Sequence, residues 1–172
     1  MTGQINVNKI AARTGNAITI ASGDVLQAPG HVLQVVQQVF STSTNITSTS
    51  YTATGLTKAI TPTSASSKIL VLVNLSAEVY QLGTSGTEAF LQITKGGSEI
   101  ASKRVNSYMG AASNGYYAFP IDGNMMFLDS PNTTSATTYA VNGKLSTTSN
   151  QFTMRVSLGS SDSTLTLMEI AG

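Results

Sequence analysis

Along residues 68–80 the side chains alternate with a period of two. Ile69, Val71, Val73, Leu75, Ala77 and Val79 share one face, and Leu70, Leu72, Asn74, Ser76, Glu78 and Tyr80 share the other. That period belongs to a β-strand, whose successive side chains point to opposite sides. The first face is apolar throughout. The second turns from apolar to polar partway along, which predicts a strand that begins between two layers and emerges toward solvent or a subunit boundary. Phe152, Met154, Val156 and Leu158 alternate with Thr153, Arg155 and Ser157, predicting a half-buried strand with its polar side outward. Leu165 and Leu167 oppose Thr166, Met168 and Ile170, and apolar character on both sides predicts a central strand.

Turn chemistry divides the rest. Residues 89–95 and 98–105 flank Gly96-Gly97, a dipeptide that accepts the positive φ angles of a tight hairpin. Asp122-Gly123 lies between residues 115–120 and 124–129, and Asn142-Gly143 follows residues 137–141; both predict further hairpin turns. Residues 31–40 are rich in Val, and their β-branching together with the Ser/Thr run behind them favours a strand. No stretch combines helical periodicity with caps. The expectation is an all-β domain of about eight to ten short strands packed as a sandwich or jelly roll.

Before Pro29-Gly30 the pattern changes. Ile5, Val7, Ile10, Ile18 and Ile20 are isolated apolar positions broken by Thr14-Gly15-Asn16 and Ser22-Gly23-Asp24. So few apolar side chains cannot bury a core of their own. Residues 1–30 therefore read as an arm that docks on something or intertwines with its copies, and residues 31–172 as the folded domain.

Composition sharpens this. Ser and Thr contribute 22 and 24 of the 172 residues, while charged residues make up only 10 %. Such a surface is hydrated by hydroxyls or hidden against copies of itself. The net charge of +1 supplies no basic stripe, which argues against nucleic-acid binding, since that draws on Lys and Arg at phosphates. No apolar run approaches the ~20 residues of a membrane-spanning helix, and the opening residues lack the charged and apolar regions of a signal peptide. The expectation is a soluble, unprocessed chain with no membrane insertion.

Chemistry is sparse. With no Cys and one His, neither a disulfide framework nor a cysteine-ligated metal site is possible. His31 is the only imidazole available to activate a serine, and no Gly-x-Ser-x-Gly elbow accompanies it. Asp122 and Asp129 sit beside predicted turns, where Asp is favoured for local hydrogen bonding. Glu78 and Glu169 fall on predicted strands with apolar neighbours, where pairing with Lys or Arg is expected rather than acid–base work. The sequence thus predicts no enzyme and no cofactor. Tyr108, Asn114, Tyr116 and Tyr117 lie in or beside a stretch of small residues that reads as an exposed loop. Tyrosines there either stack on sugar rings or cover the sandwich edge.

The stretch Phe127-Leu128-Asp129-Ser130-Pro131-Asn132-Thr133-Thr134-Ser135-Ala136-Thr137-Thr138-Tyr139 resembles a segment that recurs in tail-fibre and virion structural proteins of tailed bacteriophages. The opening is similar to the amino-terminal arm of such proteins, through Ile5-Asn6-Val7-Asn8-Lys9-Ile10, Ala17-Ile18-Thr19-Ile20 and Pro29-Gly30-His31-Val32-Leu33-Gln34-Val35-Val36. Leu165-Thr166-Leu167-Met168-Glu169-Ile170 resembles their ending. The resemblance implies a homotrimeric jelly roll of the C1q and tumour-necrosis-factor type in a virion. Its partners would be its own copies, other proteins of the tail, baseplate or capsid, and host surface polysaccharide. Leu70, Leu72, Met125, Phe127, Leu165 and Leu167 are then candidates for core or trimer interface, with the division between the two left open.

Overall fold

The computed structural model describes residues 28–82, 86–105, 116–148, 152–157 and 161–172. Among them there is no helix. Twelve strands are formed: β1 (Val32–Phe40), β2 (Thr44–Ile46), β3 (Thr52–Ile60), β4 (Lys68–Asn74), β5 (Ser76–Leu82), β6 (Ala89–Lys95), β7 (Ser98–Arg104), β8 (Tyr116–Asp122), β9 (Met125–Asp129), β10 (Thr137–Leu145), β11 (Thr153–Val156) and β12 (Ser163–Ile170). All their pairings are antiparallel, in three four-stranded sheets of order β1-β12-β4-β9, β2-β11-β5-β8 and β3-β10-β6-β7.

The first two sheets are halves of one creased layer. β1 leads into β2, β4 into β5, β8 into β9 and β11 into β12, and the two halves hold these runs in the same lateral order. Counting each broken strand as one run leaves eight. Run 1 pairs with run 8, run 2 with run 7, run 3 with run 6 and run 4 with run 5. That is one long antiparallel ribbon rolled into two layers, the jelly-roll wrap. Its tip is the β6–β7 hairpin, where Gly96 (φ 55°) and Gly97 (φ 88°) adopt the left-handed conformation that side chains resist. β12 lies between β1 and β4, a central position in keeping with its apolar sequence.

Hydroxyls hold the crease. Ser76 N donates to Ser163 Oγ (3.1 Å), Ser157 N to Ser76 O (2.8 Å) and Ser157 Oγ to Phe40 O (3.0 Å), while the Ser157 and Ser163 hydroxyls hydrogen-bond each other at 2.8 Å. Side chains thus satisfy backbone groups that a broken ladder would leave unpaired in a buried region. Run 6 crosses here through Gly123, where an added Cβ would lie 2.5 Å from Leu75 O.

This crossing corrects two expectations. Asp122-Gly123 makes no hairpin: β8 pairs with β5 and β9 with β4, and the glycine serves close approach at the crease. Asn142-Gly143 makes no turn either. β10 runs through it, with a register shift against β3 between Ala140 and Asn142, and Gly143 leaves room for Met154 and Ile46. Residues 68–80 form not one strand but two, broken at the buried Leu75.

One core fills the space between the layers. Ile69, Val71, Leu91, Ile93, Tyr139, Leu145, Phe152, Met154, Leu165 and Leu167 are essentially inaccessible to solvent. Phe40, Met125 and Phe127 pack against its margin.

Candidate functional site

Strand alternation sorts the side chains of the β1-β12-β4-β9 half into two sides. Leu165, Leu167, Ile69, Val71 and Val73 point into the core. The opposite side carries Val35, Gln37 and Val39 from β1, Thr164, Thr166, Met168 and Ile170 from β12, Lys68, Leu70, Leu72 and Asn74 from β4, and Met126 and Leu128 from β9. Register aligns them in rows. Val35 opposes Met168, Met168 opposes Leu70, and Leu70 opposes Leu128, an apolar row across all four strands. The next row runs Gln37, Thr166, Leu72 and Met126.

This outer face is open. Val35 is 54 % exposed, Val39 56 %, Met126 73 % and Leu128 51 %. Lys68 is the only charged side chain that these strands direct outward, and its Nζ donates to Ser130 Oγ at 2.8 Å. Beside β9 an open depression of about 440 Å³ is lined by residues including Leu72, Asn74, Asn124, Met126 and Thr164. Single exposed apolar residues mean little, whereas a contiguous apolar patch marks a binding surface.

The candidate core or interface residues therefore divide. Leu165 and Leu167 are fully buried, Met125 and Phe127 are partly buried against the core, and Leu70 and Leu72 lie on the outer face. Leu70 and Leu72 do not lie between layers as their apolar character suggests; β4 has its second apolar side facing outward.

The outer faces of the other two sheets carry charged groups among the described residues. On the β2-β11-β5-β8 half, Arg155 pairs with Glu78 (3.2 Å) and covers the Tyr80 ring at 3.9 Å. Outside the β3-β10-β6-β7 layer, Lys144 Nζ sits 4.7 Å from the Tyr51 ring centre and 5.4 Å from that of Phe90. Gln92 donates to Glu99 (2.5 Å) and Arg104 to Glu88 (2.7 Å). Hydrogen bonds from Ser102 and Gln92 hold the Glu99 carboxyl below its ordinary value, and burial followed by the Glu99 charge pushes the Tyr51 phenol up.

Two buried carboxylates depart from their sequence expectations. Asp129 serves no turn: its Oδ2 accepts from Tyr139 Oη (2.7 Å) and its Oδ1 from Lys95 Nζ (3.0 Å), joining β9 to the opposite layer. Burial, and then the hydrogen bond and charge of Asp129, push the Tyr139 phenol far up. Glu169 has no cationic partner. Its oxygens accept from Gln34 Nε2 (2.5 Å), Thr63 N (2.7 Å) and Thr63 Oγ1 (2.8 Å). Burial raises this carboxyl, but the bonds from Gln34 and Thr63, with the buried Ser67 hydroxyl adding to them, outweigh it and hold the group below the usual range. Ser67 Oγ itself falls short of a formed hydrogen bond. A neutral donor set serves because three donors replace the lost water.

No cluster of metal-ligating side chains occurs among the described residues. His31 is exposed and follows the Ala28–Gly30 turn, with its backbone carbonyl accepting from Ala171 N. The arm positions Ile5, Val7, Ile10, Ile18 and Ile20, and the loop residues Tyr108 and Asn114, lie outside the described residues. Tyr116 and Tyr117 open β8, with backbones paired to Leu82 and Gln81.

The crease serines and the outward Val35, Val39, Met126 and Leu128 carry no distinguishing mark in the sequence. Ser157, Ser163 and Ser76 look like any others in a Ser/Thr-rich chain, and only the pairing registers bring them together.

No known protein family and no curated protein matches the chain. Among solved structures it is similar to "Structure of infectious bursal disease virus Gx strain", with 13 % identity over 92 % of this chain and 37 % of that one (TM-score 0.39). It is also similar to the crystal structure of the T13 viral particle of the same virus (12 % identity, 92 % and 41 % covered, TM-score 0.38) and to that of its VP2 subviral particle (14 %, 91 % and 42 %, TM-score 0.31). The chain spans about two fifths of the length of the chains it matches.

Proposed function

We propose that this is a non-enzymatic bacteriophage virion structural protein, a short homotrimeric tail fibre or tail tip protein whose arm, residues 1–30, is fixed to the particle. The observation that carries this reading is the outer face of the β1-β12-β4-β9 half. It carries an apolar row and a single charge, whereas the outer faces of the other sheets carry ion pairs, which suits a subunit that exists to be assembled. The residue-level resemblance to tail-fibre proteins supports the phage assignment. Three copies on one fibre and several fibres on one particle would give weak contacts with host polysaccharide high avidity. Tyr108, Asn114, Tyr116 and Tyr117 are the residues we assign to that contact.

A second reading is a capsid decoration protein or head fibre. The eight-run wrap favours it, because double-sheet jelly rolls recur in viral capsid domains, although a fold alone does not establish a function. Imaging of particles labelled at the carboxy-terminus separates the two. Label at the tail supports the first reading, label over the head supports the second, and purified particles without label refute both. Deleting residues 1–28 should leave a folded trimer unable to join the particle.

A further inference from the structure

The arm root leaves the domain at one end of the open β1-β12-β4-β9 face. Gly30 N donates to Ala171 O and Ala171 N to His31 O, each at 2.8 Å, which fixes the root beside the end of β12. Val32 then opposes Ile170, and Ile170 opposes Lys68, so Lys68 stands two strands across from the root. Going away from that end, the outward side of β4 presents Lys68, Leu70 and Leu72, and Leu72 borders the open depression beside Met126. Lys68 is exposed, and among the described residues its Nζ meets the Ser130 hydroxyl and no carboxylate. The segment that precedes the root carries complementary chemistry in the same order: Asp24, the only charge in residues 17–27, and then Ile20 and Ile18.

We infer that residues 18–24 fold back over this face of their own copy, with Asp24 paired to Lys68, Ile20 over Leu70 and Ile18 in the depression between Leu72 and Met126. The reach fits. At roughly 3.3 Å per extended residue, the four residues from Asp24 to Ala28 cover about 13 Å, and the two strand spacings from the root to Lys68 are roughly 10 Å. Ile18 and Ile20 are two residues apart, as are Leu70 and Leu72, so both pairs have a spacing of roughly 7 Å. Ser22-Gly23 supplies the slack between the charge and the first isoleucine, because glycine accepts the conformations a bend requires. Ile20 then lies on the middle of the apolar row Val35, Met168, Leu70 and Leu128, and Lys68 gains a counter-charge. A copy's own arm outcompetes a free partner because the tether keeps it at high effective concentration, and a contact that costs no translational freedom does not need the area of an interface between separate chains. The inference goes beyond the virion reading and does not rest on it; residues 1–16 are left for the attachment proposed above.

Because the chain contains no Cys, introduced pairs report the contact. Met126 is 73 % exposed, so its replacement leaves the core intact, and circular dichroism checks the fold of each variant. Under mild oxidation the full-length protein carrying Ile18→Cys and Met126→Cys should form a disulfide within one chain, seen as a faster band on a non-reducing gel and as a linked peptide by mass spectrometry. Ile18→Cys with Thr57→Cys, exposed on the other layer, should form none. Lys68→Asp should slow the disulfide between positions 18 and 126 several-fold, and Asp24→Lys added to it should restore the rate, a response that chance collision of the two thiols does not give. A disulfide that fails to form, that links two chains instead of one, or that forms at a rate indifferent to both charge changes would overturn the inference. Particle imaging stays independent: thiols that fail to pair remove this contact and leave the virion reading, and particles without label do the reverse.

Discussion

Removing the Tyr139 hydroxyl tests whether a single buried hydrogen bond ties the two layers together. Tyr139 is fully buried on β10, and its Oη donates at 2.7 Å to Asp129 on β9, whose side belongs to the other layer. In Tyr139→Phe the ring keeps its packing, the void left is one oxygen, and a carboxylate that is 7 % exposed loses a donor it cannot replace from solvent. A hydrogen bond to a charged group contributes about 1.5–3 kcal/mol, so stability should fall by that amount. At about 2–4 °C per kcal/mol for a chain of this size, the melting temperature drops by about 3–12 °C. Calorimetry and guanidinium unfolding, both at one protein concentration so that association is held constant, measure the two quantities. A double-mutant cycle with Asp129→Ala, which leaves no acceptor, isolates the Tyr139–Asp129 coupling, because the loss of the Lys95 ion pair is common to both sides of the cycle and cancels. A loss below about 0.5 kcal/mol for Tyr139→Phe, or a coupling energy near zero, would refute the claim that this bond ties the layers together.

Three more predictions follow from the same geometry. Because Glu169 titrates below its unfolded-state value of about 4.3, its hydrogen bonds stabilise the fold fully above that pH and lose their effect as pH falls through the native value; acid unfolding of Glu169→Gln should lack this component. Gly123→Ala should destabilise by about 1–3 kcal/mol or more in chemical unfolding, because its Cβ meets the Leu75 carbonyl, whereas Gly143→Ala meets the flexible end of Met154 and should cost less. Leu165→Ala should cost about 2–5 kcal/mol as a core cavity, while Leu70→Ala, on the outer face, should change unfolding of the separated subunit by less than that and show its effect in sedimentation as weaker association.

What local chemistry decides could be read from the chain. Alternation along residues 68–80 and 163–170 marks strands because the pleat itself has period two, and Gly96-Gly97 marks a hairpin because the turn demands positive φ. Gly123 and Gly143 misled for a related reason. A glycine serves either a left-handed turn or a close approach, and both look the same until a neighbour is in place.

The all-β character, the weakly charged surface and the central β12 were thus set by residue order alone, through forces acting over a few positions. Which apolar side of β4 faces the core, where the long runs break, and which serines repair that break depend on registers between strands far apart in the chain. Alternation assigns side chains to two sides without saying which is inside. Only the second layer, by covering Ile69 and Val71 and leaving Leu70 and Leu72 uncovered, makes that choice.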